Sequence, residues 1–219
     1  MDSSKAGRYQ IAPLNPEQGR ALPNAVQGHR LEGPYRVALP LGLRLGEALG
    51  LRWEDVDPDA GTLRVAVALQ RRKGSKELVE PKTHQSRRPL PLPSVLLAAL
   101  KVHRMRQLEE RFAAGPAWKD HGLVVPSTVG TAIEPRNLTR HFKSVLQAAG
   151  LPDIRFHDLR HTVASLLVAQ GVHPRVVMEI LGHSQISLTM NIYAHVLPEA
   201  QRAAVATMDA LFVEAAGAD

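Results

Sequence analysis

Residues 155–196 hold the side chains of this chain that are best suited to chemistry. The segment reads RFHDLRHTVASLLVAQGVHPRVVMEILGHSQISLTMNIYAHV, in a chain in which only 4% of residues are aromatic. His157 and Arg160 are three positions apart, so on a helix they share a face. Apolar residues follow at helical spacing and would anchor this helix, whose N-terminal N–H groups favour an anion. The spacing therefore predicts an anion site with one titratable group and one fixed cation.

His183 and Tyr193 are the other candidates in this segment. Gly182 is placed to end a helix, which puts His183 on the corner before the next helix, where its side chain can enter a cleft. Tyr193 follows ten positions later, in a predicted helix over 186–196. A tyrosine on an amphipathic helix is more often a packing residue. Beside a histidine and arginines it is also a candidate nucleophile.

Length and composition limit the possible functions. With 219 residues, 44% of them hydrophobic, the chain can bury the core of one medium-sized domain. Its 27 lysines and arginines exceed its 21 aspartates and glutamates, and the net charge of +6 is equally consistent with an anionic partner and with a merely basic soluble protein. The absence of cysteine excludes disulfides, thiol nucleophiles and cysteine-bound metals. No apolar run is long enough for a membrane span and no secretory signal is evident, so we expect a cytoplasmic protein.

A second arginine motif, GLRLGE, occupies residues 42–47. Arg44 stands among leucines, so we expect its surroundings to be buried, and a buried guanidinium needs acceptors. Glu47, one helical turn further on, can supply them. From spacing alone, a structural ion pair is the simpler interpretation.

The other patterns predict an α+β fold that is mainly helical, with a small three-stranded antiparallel sheet. A capping-box sequence at 15–18 starts a helix that runs towards His29, and two longer helices are predicted at 94–113 and 135–149. The apolar stripe predicted to face the core in the first of these longer helices is Leu96, Leu97, Leu100, Val102 and Leu108.

The predicted strands cover residues 62–69, 77–82 and 87–92, and Lys82 lies on a tight turn between the last two. An exposed lysine on a turn is ordinarily a solvated charge. The helix at 135–149 carries a basic cluster of Arg136, Arg140, His141 and Lys143. Such a cluster is equally consistent with a solvated face and with a surface that contacts phosphates.

Three motifs in this order, HDLRH at 157–161, LGHS at 181–184 and MNIYAHV at 190–196, resemble the catalytic domain of the tyrosine recombinases, the phage integrase family. GLRLGE followed by LRWEDVD is similar to the first arginine box of that family, and PKTHQSRRPLPLP is similar to its β-hairpin. The order of the motifs is specific, whereas each motif alone is weak. The resemblance covers nearly all of the chain from Pro13 onward.

The resemblance implies a site-specific DNA recombinase that cleaves and rejoins strands through a 3′-phosphotyrosine, with no metal or nucleotide cofactor. Tyr193 would be the nucleophile, and Lys82 would protonate the departing 5′ oxygen, with Lys76 and Lys73 as fallback candidates. The remaining implied site residues are Arg44, Arg160 and His183, which would stabilise the transition state, His157, which would assist proton transfer, and Glu47, which would orient its neighbours.

Double-stranded DNA at a specific site is the partner that the resemblance implies, with Arg87, Arg136, Arg140 and Lys143 as further DNA contacts. The implied assembly is a homotetramer on DNA that is monomeric when free. We expect a linker-like segment at 1–12, a catalytic domain at 13–197 and a C-terminal helix at 198–219 that neighbouring protomers could exchange. No segment could be the separate N-terminal domain of the family, so we expect a catalytic-domain fragment or a natural minimal member.

Three alternatives remain open. His157 and His161 have the spacing of a helical zinc pair that His183 and His195 could complete, although Arg160 would then place a cation beside the metal. The arginines could also only grip phosphates in a non-catalytic DNA-binding module. A type IB topoisomerase uses the same covalent chemistry and would relax DNA without joining two duplexes.

Overall fold

The computed structural model describes residues 13–72, 74–80, 89–182 and 205–206. The helices of these residues are α1 (Pro16–Ala25), α2 (Glu32–Leu41), α3 (Leu45–Gly50), α4 (Ser94–Ala114), α5 (Pro135–Ala148), α6 (Asp158–Ala169) and α7 (Pro174–Leu181). The strands are β1 (Val56–Asp57), β2 (Thr62–Arg64), β3 (Ala68–Arg72), β4 (Ser75–Val79) and β5 (Pro89–Pro91). The mainly helical α+β class predicted from the sequence is confirmed. None of the described helices is long and apolar enough to cross a membrane.

Helix α1 begins with the capping box that the sequence predicts. The Asn15 side chain accepts a hydrogen bond from the Gln18 N–H at 2.8 Å, and the Gln18 side chain accepts one from the Asn15 N–H at 3.0 Å. Two N–H groups that lack helical partners are thereby satisfied. The helix ends at Ala25 and does not reach His29.

The strands form two small sheets rather than the one sheet expected. The three-stranded sheet has the order β1-β2-β5, and β3 pairs with β4 in a separate two-stranded sheet. The strand expected at 62–69 therefore divides at residues 65–67, because its first part pairs with β5 and its second part with β4. Alternation of apolar and polar residues cannot distinguish these partners, since both pairings leave the same side chains on each face.

Helix α4 has the expected bounds within a residue, but its predicted apolar stripe is only half right. Leu96 and Leu100 are buried in the main core, whereas Val102 and Leu108 are exposed. The outer face of the second half of α4 also exposes Met105 and Phe112. Helical periodicity identified an apolar helix but could not identify which part of its surface the domain covers.

Two hydrophobic clusters organise the described residues. The larger one joins α1–α5 and the β1-β2-β5 sheet, with Tyr35, Phe142 and Phe156 packed together at its aromatic centre. The smaller one packs α6 against α7 through residues such as Val163 and Leu181. The ends of α2, α6 and α7 consequently meet in one place, and the candidate site lies there.

Candidate functional site

Arg44 lies immediately before α3, where the backbone turns into the helix. Its Nη1 donates a hydrogen bond to Glu47 Oε1 at 2.7 Å, and its backbone N–H donates to Glu47 Oε2 at 3.0 Å. Glu47 is 4% exposed, whereas the Arg44 side chain is 39% exposed. The expected ion pair is therefore present, and its carboxylate fixes both the backbone and the guanidinium of Arg44 while the side chain stays partly exposed to solvent.

Arg160, in the first turn of α6, is 2% exposed and is the largest of the fully buried side chains described. Its Nη1 donates to the carbonyl oxygen of Gly42 at 2.8 Å, and its Nη2 donates to the carbonyl oxygen of Leu181. Both acceptors are carbonyls at helix C-terminal ends, which lack helical partners and carry partial negative charge. The buried cation is thus held by backbone dipoles as well as by its place in the core.

The two arginines converge on the same helix end. Arg44 Nη2 donates to the carbonyl of Gly182 at 3.3 Å, next to the Leu181 carbonyl that Arg160 binds. Gly182 has a left-handed backbone with φ of 61° and ends α7, as the sequence predicted. Arg44 and Gly182, which are 138 positions apart in the chain, are therefore joined by a hydrogen bond. His183 is the next residue in the sequence.

His157 directly precedes α6, one turn before Arg160, and its ring meets that of His161 edge to face at a centroid distance of 5.4 Å. Loss of water around the ring lowers the pKa of His157, and the charges of His161, Arg160 and Arg44 lower it further against an opposing effect of Asp158. Loss of water also lowers the pKa of His161. An imidazole that is neutral at neutral pH can accept a proton and pass it on, whereas an imidazolium cannot accept one.

Asp158 is a site feature that the sequence reasoning did not single out. Its carboxylate is fully buried and accepts hydrogen bonds from the backbone N–H of Arg155 at 2.8 Å and from the Arg155 side chain at 3.0 and 3.2 Å. This arrangement clamps the turn that leads into α6 and so fixes the direction in which His157 and Arg160 emerge. The available signal was an aspartate three residues after an arginine at a helix start, where an anion is favoured.

The predicted basic cluster on α5 is not uniform. Arg136 and Arg140 are exposed, and neither forms an ion pair with another described residue. Lys143 pairs with Asp153, and the His141 ring stacks on His29 at 4.2 Å. The two arginines are therefore the members of this cluster that a polyanion can reach without breaking a contact.

Tyr35, a second tyrosine of the chain, is poorly suited to act as a nucleophile. Its side chain is fully buried, and its hydroxyl lies 2.7 Å from His141 Nδ1. Burial raises the pKa of Tyr35 well above its ordinary value. Both effects keep the hydroxyl protonated and engaged with His141.

Several sequence candidates lie outside the described residues: Lys73, Lys82, Arg87, His183, Tyr193 and His195. The described strands on either side of the Lys82 segment, β4 and β5, belong to different sheets and do not pair with each other. The tight turn expected at Lys82 itself lies outside the described residues. The fallback Lys76 donates to the Ala132 carbonyl at 2.6 Å. No group of three metal-ligating side chains occurs among residues 13–72, 74–80 and 89–182.

Comparison with known sequences gives consistent matches. A sequence profile of the phage integrase family matches residues 14–200. A XerC-like tyrosine recombinase of Caldanaerobacter subterraneus subsp. tengcongensis is 39% identical over 216 residues, which cover 93% of this chain and 55% of that protein. An integrase of Streptomyces ambofaciens is 33% identical over 207 residues, which cover 89% of this chain and 52% of that protein. The chain spans about half the length of these relatives.

Solved structures share the fold at lower sequence identity. The Tn1549 transposon integrase, determined in complex with transposon right end DNA, superposes with a TM-score of 0.77 at 23% identity, covering 93% of this chain and 68% of that one. The XerA recombinase superposes with a TM-score of 0.70 at 20% identity, covering 91% of this chain and 66% of that one.

Proposed function

This chain belongs to the phage integrase family of tyrosine recombinases, and we propose that it is the catalytic domain of a site-specific recombinase. It cleaves a DNA strand by forming a 3′-phosphotyrosine and rejoins strands by reversing that step, with no metal or nucleotide cofactor. Relatives named recombinases and integrases, and structures such as the XerH recombinase bound to its difH substrate, support double-stranded DNA as the partner. The topoisomerase alternative has no such support.

The observation that carries the proposal is the convergence of Arg44 and Arg160 on the C-terminal end of α7. Phosphodiester cleavage builds negative charge on the two non-bridging oxygens, and planar guanidiniums are suited to bind such oxygens in pairs. Each guanidinium has its orientation set by acceptors on the protein, Glu47 for one and two backbone carbonyls for the other. Orientation fixed before substrate binds is what makes charge stabilisation effective.

Each of the remaining candidate residues has one role in the proposed reaction. The Tyr193 oxygen attacks the scissile phosphorus and loses its proton, the bond from phosphorus to the 5′ oxygen breaks, and Lys82 supplies the proton that makes the leaving group a free 5′-hydroxyl. His183, which follows the helix end that the arginines bind, donates to a non-bridging oxygen. His157, whose lowered pKa favours the neutral imidazole, accepts the proton that Tyr193 loses.

The exposed arginines of α5 give the domain a surface for DNA backbone phosphates. Arg136 and Arg140 contribute to affinity there, and Arg87 adds a contact beside Lys82, while Lys143 contributes less because it is paired with Asp153. Phosphate contacts position a duplex without reading its sequence. They therefore bring the scissile phosphate to the arginine pair and leave the choice of site to other contacts.

In the assembly that we propose, residues 13–197 form the catalytic domain and 198–219 a C-terminal segment that docks on a neighbouring protomer. Four protomers act on two DNA sites, and a free protomer is a cytoplasmic monomer. Val205 and Ala206 are helical, and Val205 is exposed.

Covalent trapping tests the proposal. Because the target site is unknown, the substrate is a pool of nicked duplexes with a randomised core, incubated with the protein in EDTA and then denatured. We expect DNA joined to protein, lost in Tyr193→Phe, and sequencing of the trapped strands gives the site. An adduct that forms only with added divalent metal, or one that persists in Tyr193→Phe, would refute the mechanism.

The trapped site then separates recombination from relaxation. Two duplexes of different length that carry this site should yield joined products of intermediate length. If the protein only removes supercoils from a plasmid that carries the site, it acts as a topoisomerase and the proposed function is wrong.

A further inference from the structure

Gly42 ends α2 with a left-handed backbone, φ 57° and ψ 35°. This conformation turns the Gly42 carbonyl towards α6, where it accepts the hydrogen bond from Arg160 Nη1 at 2.8 Å. Glycine adopts such a backbone without steric cost, whereas other residues are strained in it. The conformation alone thus connects Gly42 to the buried arginine.

The space around Gly42 makes a second, independent connection. A Cβ atom at this position would lie 2.3 Å from Cδ2 of Leu181, far inside van der Waals contact, and 3.6 Å from Cβ of Val163. Leu181 is fully buried between α6 and α7, so its side chain can move away only by displacing the neighbours that pack against it. The carbonyl of the same leucine accepts the second hydrogen bond of Arg160. The missing side chain of Gly42 is therefore what allows the ends of α2 and α7 to approach each other.

We propose that Gly42 is a positioning residue for Arg160, because the close approach of α2 and α7 at this glycine brings two backbone carbonyls to opposite ends of one guanidinium. Two acceptors on one planar group fix its plane as well as its position. A Cβ at residue 42 separates the two carbonyls, and the Arg160 guanidinium then cannot donate to both of them in its present plane. The effect of Gly42 on DNA cleavage rests on the proposed function. Its effect on the orientation of the Arg160 guanidinium does not.

The first measurement needs no DNA. The Nε–H signal of Arg160 in a ¹⁵N-labelled sample, assigned by its absence in Arg160→Lys, reports whether the guanidinium is immobilised. We expect an ordered signal in the wild-type protein and in Gly150→Ala, and a signal broadened or averaged by motion in Gly42→Ala. Gly150 is the matched control because it has a φ of 63° but nothing within 4 Å of an added Cβ. An unchanged Arg160 signal in Gly42→Ala, or an equal change in both variants, overturns the proposal.

A second variant allows the proposal to be tested even if Gly42→Ala alone does not fold. Leu181→Ala removes the atom that the new Cβ would strike but keeps the carbonyl that binds Arg160. We expect the double variant Gly42→Ala with Leu181→Ala to show the same Arg160 signal as Leu181→Ala alone. A double variant that folds but still lacks the ordered signal shows that the contact between residue 42 and Leu181 does not position Arg160.

Cleavage supplies the functional measurement. We expect Gly42→Ala to slow single-turnover adduct formation about 100-fold, the effect of a displacement near 1 Å in a catalytic group, with DNA affinity unchanged because backbone contacts dominate it. Gly150→Ala should stay within about twofold of wild type. A slower rate that is matched by weaker DNA binding contradicts a positioning role. If the wild-type protein forms no adduct, the proposed function fails, and the Arg160 signal still decides whether Gly42 positions this side chain.

Discussion

Arg160 and the arginines of α5 carry the same charge but are held in opposite ways. Arg160 is 2% exposed and hydrogen-bonded to carbonyls from two helix ends. Arg136 and Arg140 are exposed and form no ion pair with another described residue. A buried cation is expensive to desolvate and is tolerated only where acceptors surround it, whereas an exposed one costs little and holds no fixed position.

This difference separates two tasks that an enzyme acting on DNA must perform. Grip on a duplex needs many charges and tolerates their movement, because phosphates repeat along the backbone. Cleavage of one phosphate needs few charges in defined positions. Under the proposed function the α5 arginines serve the first task and Arg160 the second, so mutations of the two groups should affect different measurements.

Arg160→Lys should have the largest effect. Lysine keeps the charge but cannot bind the carbonyls of Gly42 and Leu181 with one planar group, so we expect cleavage to fall by about 100- to 1000-fold, the range for loss of one transition-state donor. DNA affinity should remain close to that of wild type. Single-turnover trapping and a binding titration measure the two quantities. A cleavage rate within about tenfold of wild type would show that charge alone suffices at this position.

Glu47→Gln should have a smaller effect on the same step. Glutamine keeps an acceptor for the Arg44 N–H but removes the buried negative charge that orients its guanidinium, and we expect a 10- to 100-fold loss of cleavage. The control is Glu179→Gln, in a surface pair with Arg175 at 3.0 Å in which the side chains are 63% and 64% exposed. Such a pair contributes at most about 1 kcal/mol to stability. Equal losses in the two variants would argue that Glu47 has no special link to catalysis.

The local parts of the site could be predicted from the sequence. Arg44 and Glu47 are three residues apart, and the Asn15 cap and the Gly182 helix end follow from the chemistry of single residues. The contact of Arg44 with Gly182 could not be predicted in this way, because it joins residues 138 positions apart and depends on how α2, α6 and α7 pack. The contact of the Gly42 carbonyl with Arg160 could not be predicted for the same reason.

The sheet shows a different limit. Residues 62–69 have the composition of a strand, and both halves are indeed strands, but one half pairs with β5 and the other with β4. Pairing partners depend on where the chain leaves one sheet for the next. The second half, at the start of β3, lies against α3, where Gly46 and Gly50 let the helix approach the backbone of Leu69. Only the three-dimensional packing reveals this contact.

Arg140→Ala tests the other half of the comparison. Removal of one phosphate contact should weaken DNA binding about equally for all sequences and reduce the slope of log affinity against log salt by about 1. Cleavage at saturating DNA should not change. Arg175→Ala, which removes a charge on α7 that is already paired with Glu179, should leave the slope nearly unaltered. A lower rate at saturation in Arg140→Ala would place this residue in the catalytic step instead.

The smallest effect concerns pH and the histidines beside Arg160. The pKa of His157 and that of His161 are both lowered in the folded chain, chiefly because their rings lose water. Below the ordinary histidine pKa of about 6.5 the unfolded chain therefore binds protons that the folded chain does not, so stability falls as the pH drops from that value towards the lowered pKa values. His161→Phe keeps a ring against His157 but removes a charge that lowers its pKa. We expect this variant to raise the pKa of His157, measured by NMR titration, and to lose less stability on acidification. A His157 pKa that stays unchanged would mean that Arg160 and burial, rather than the neighbouring ring, keep the imidazole neutral.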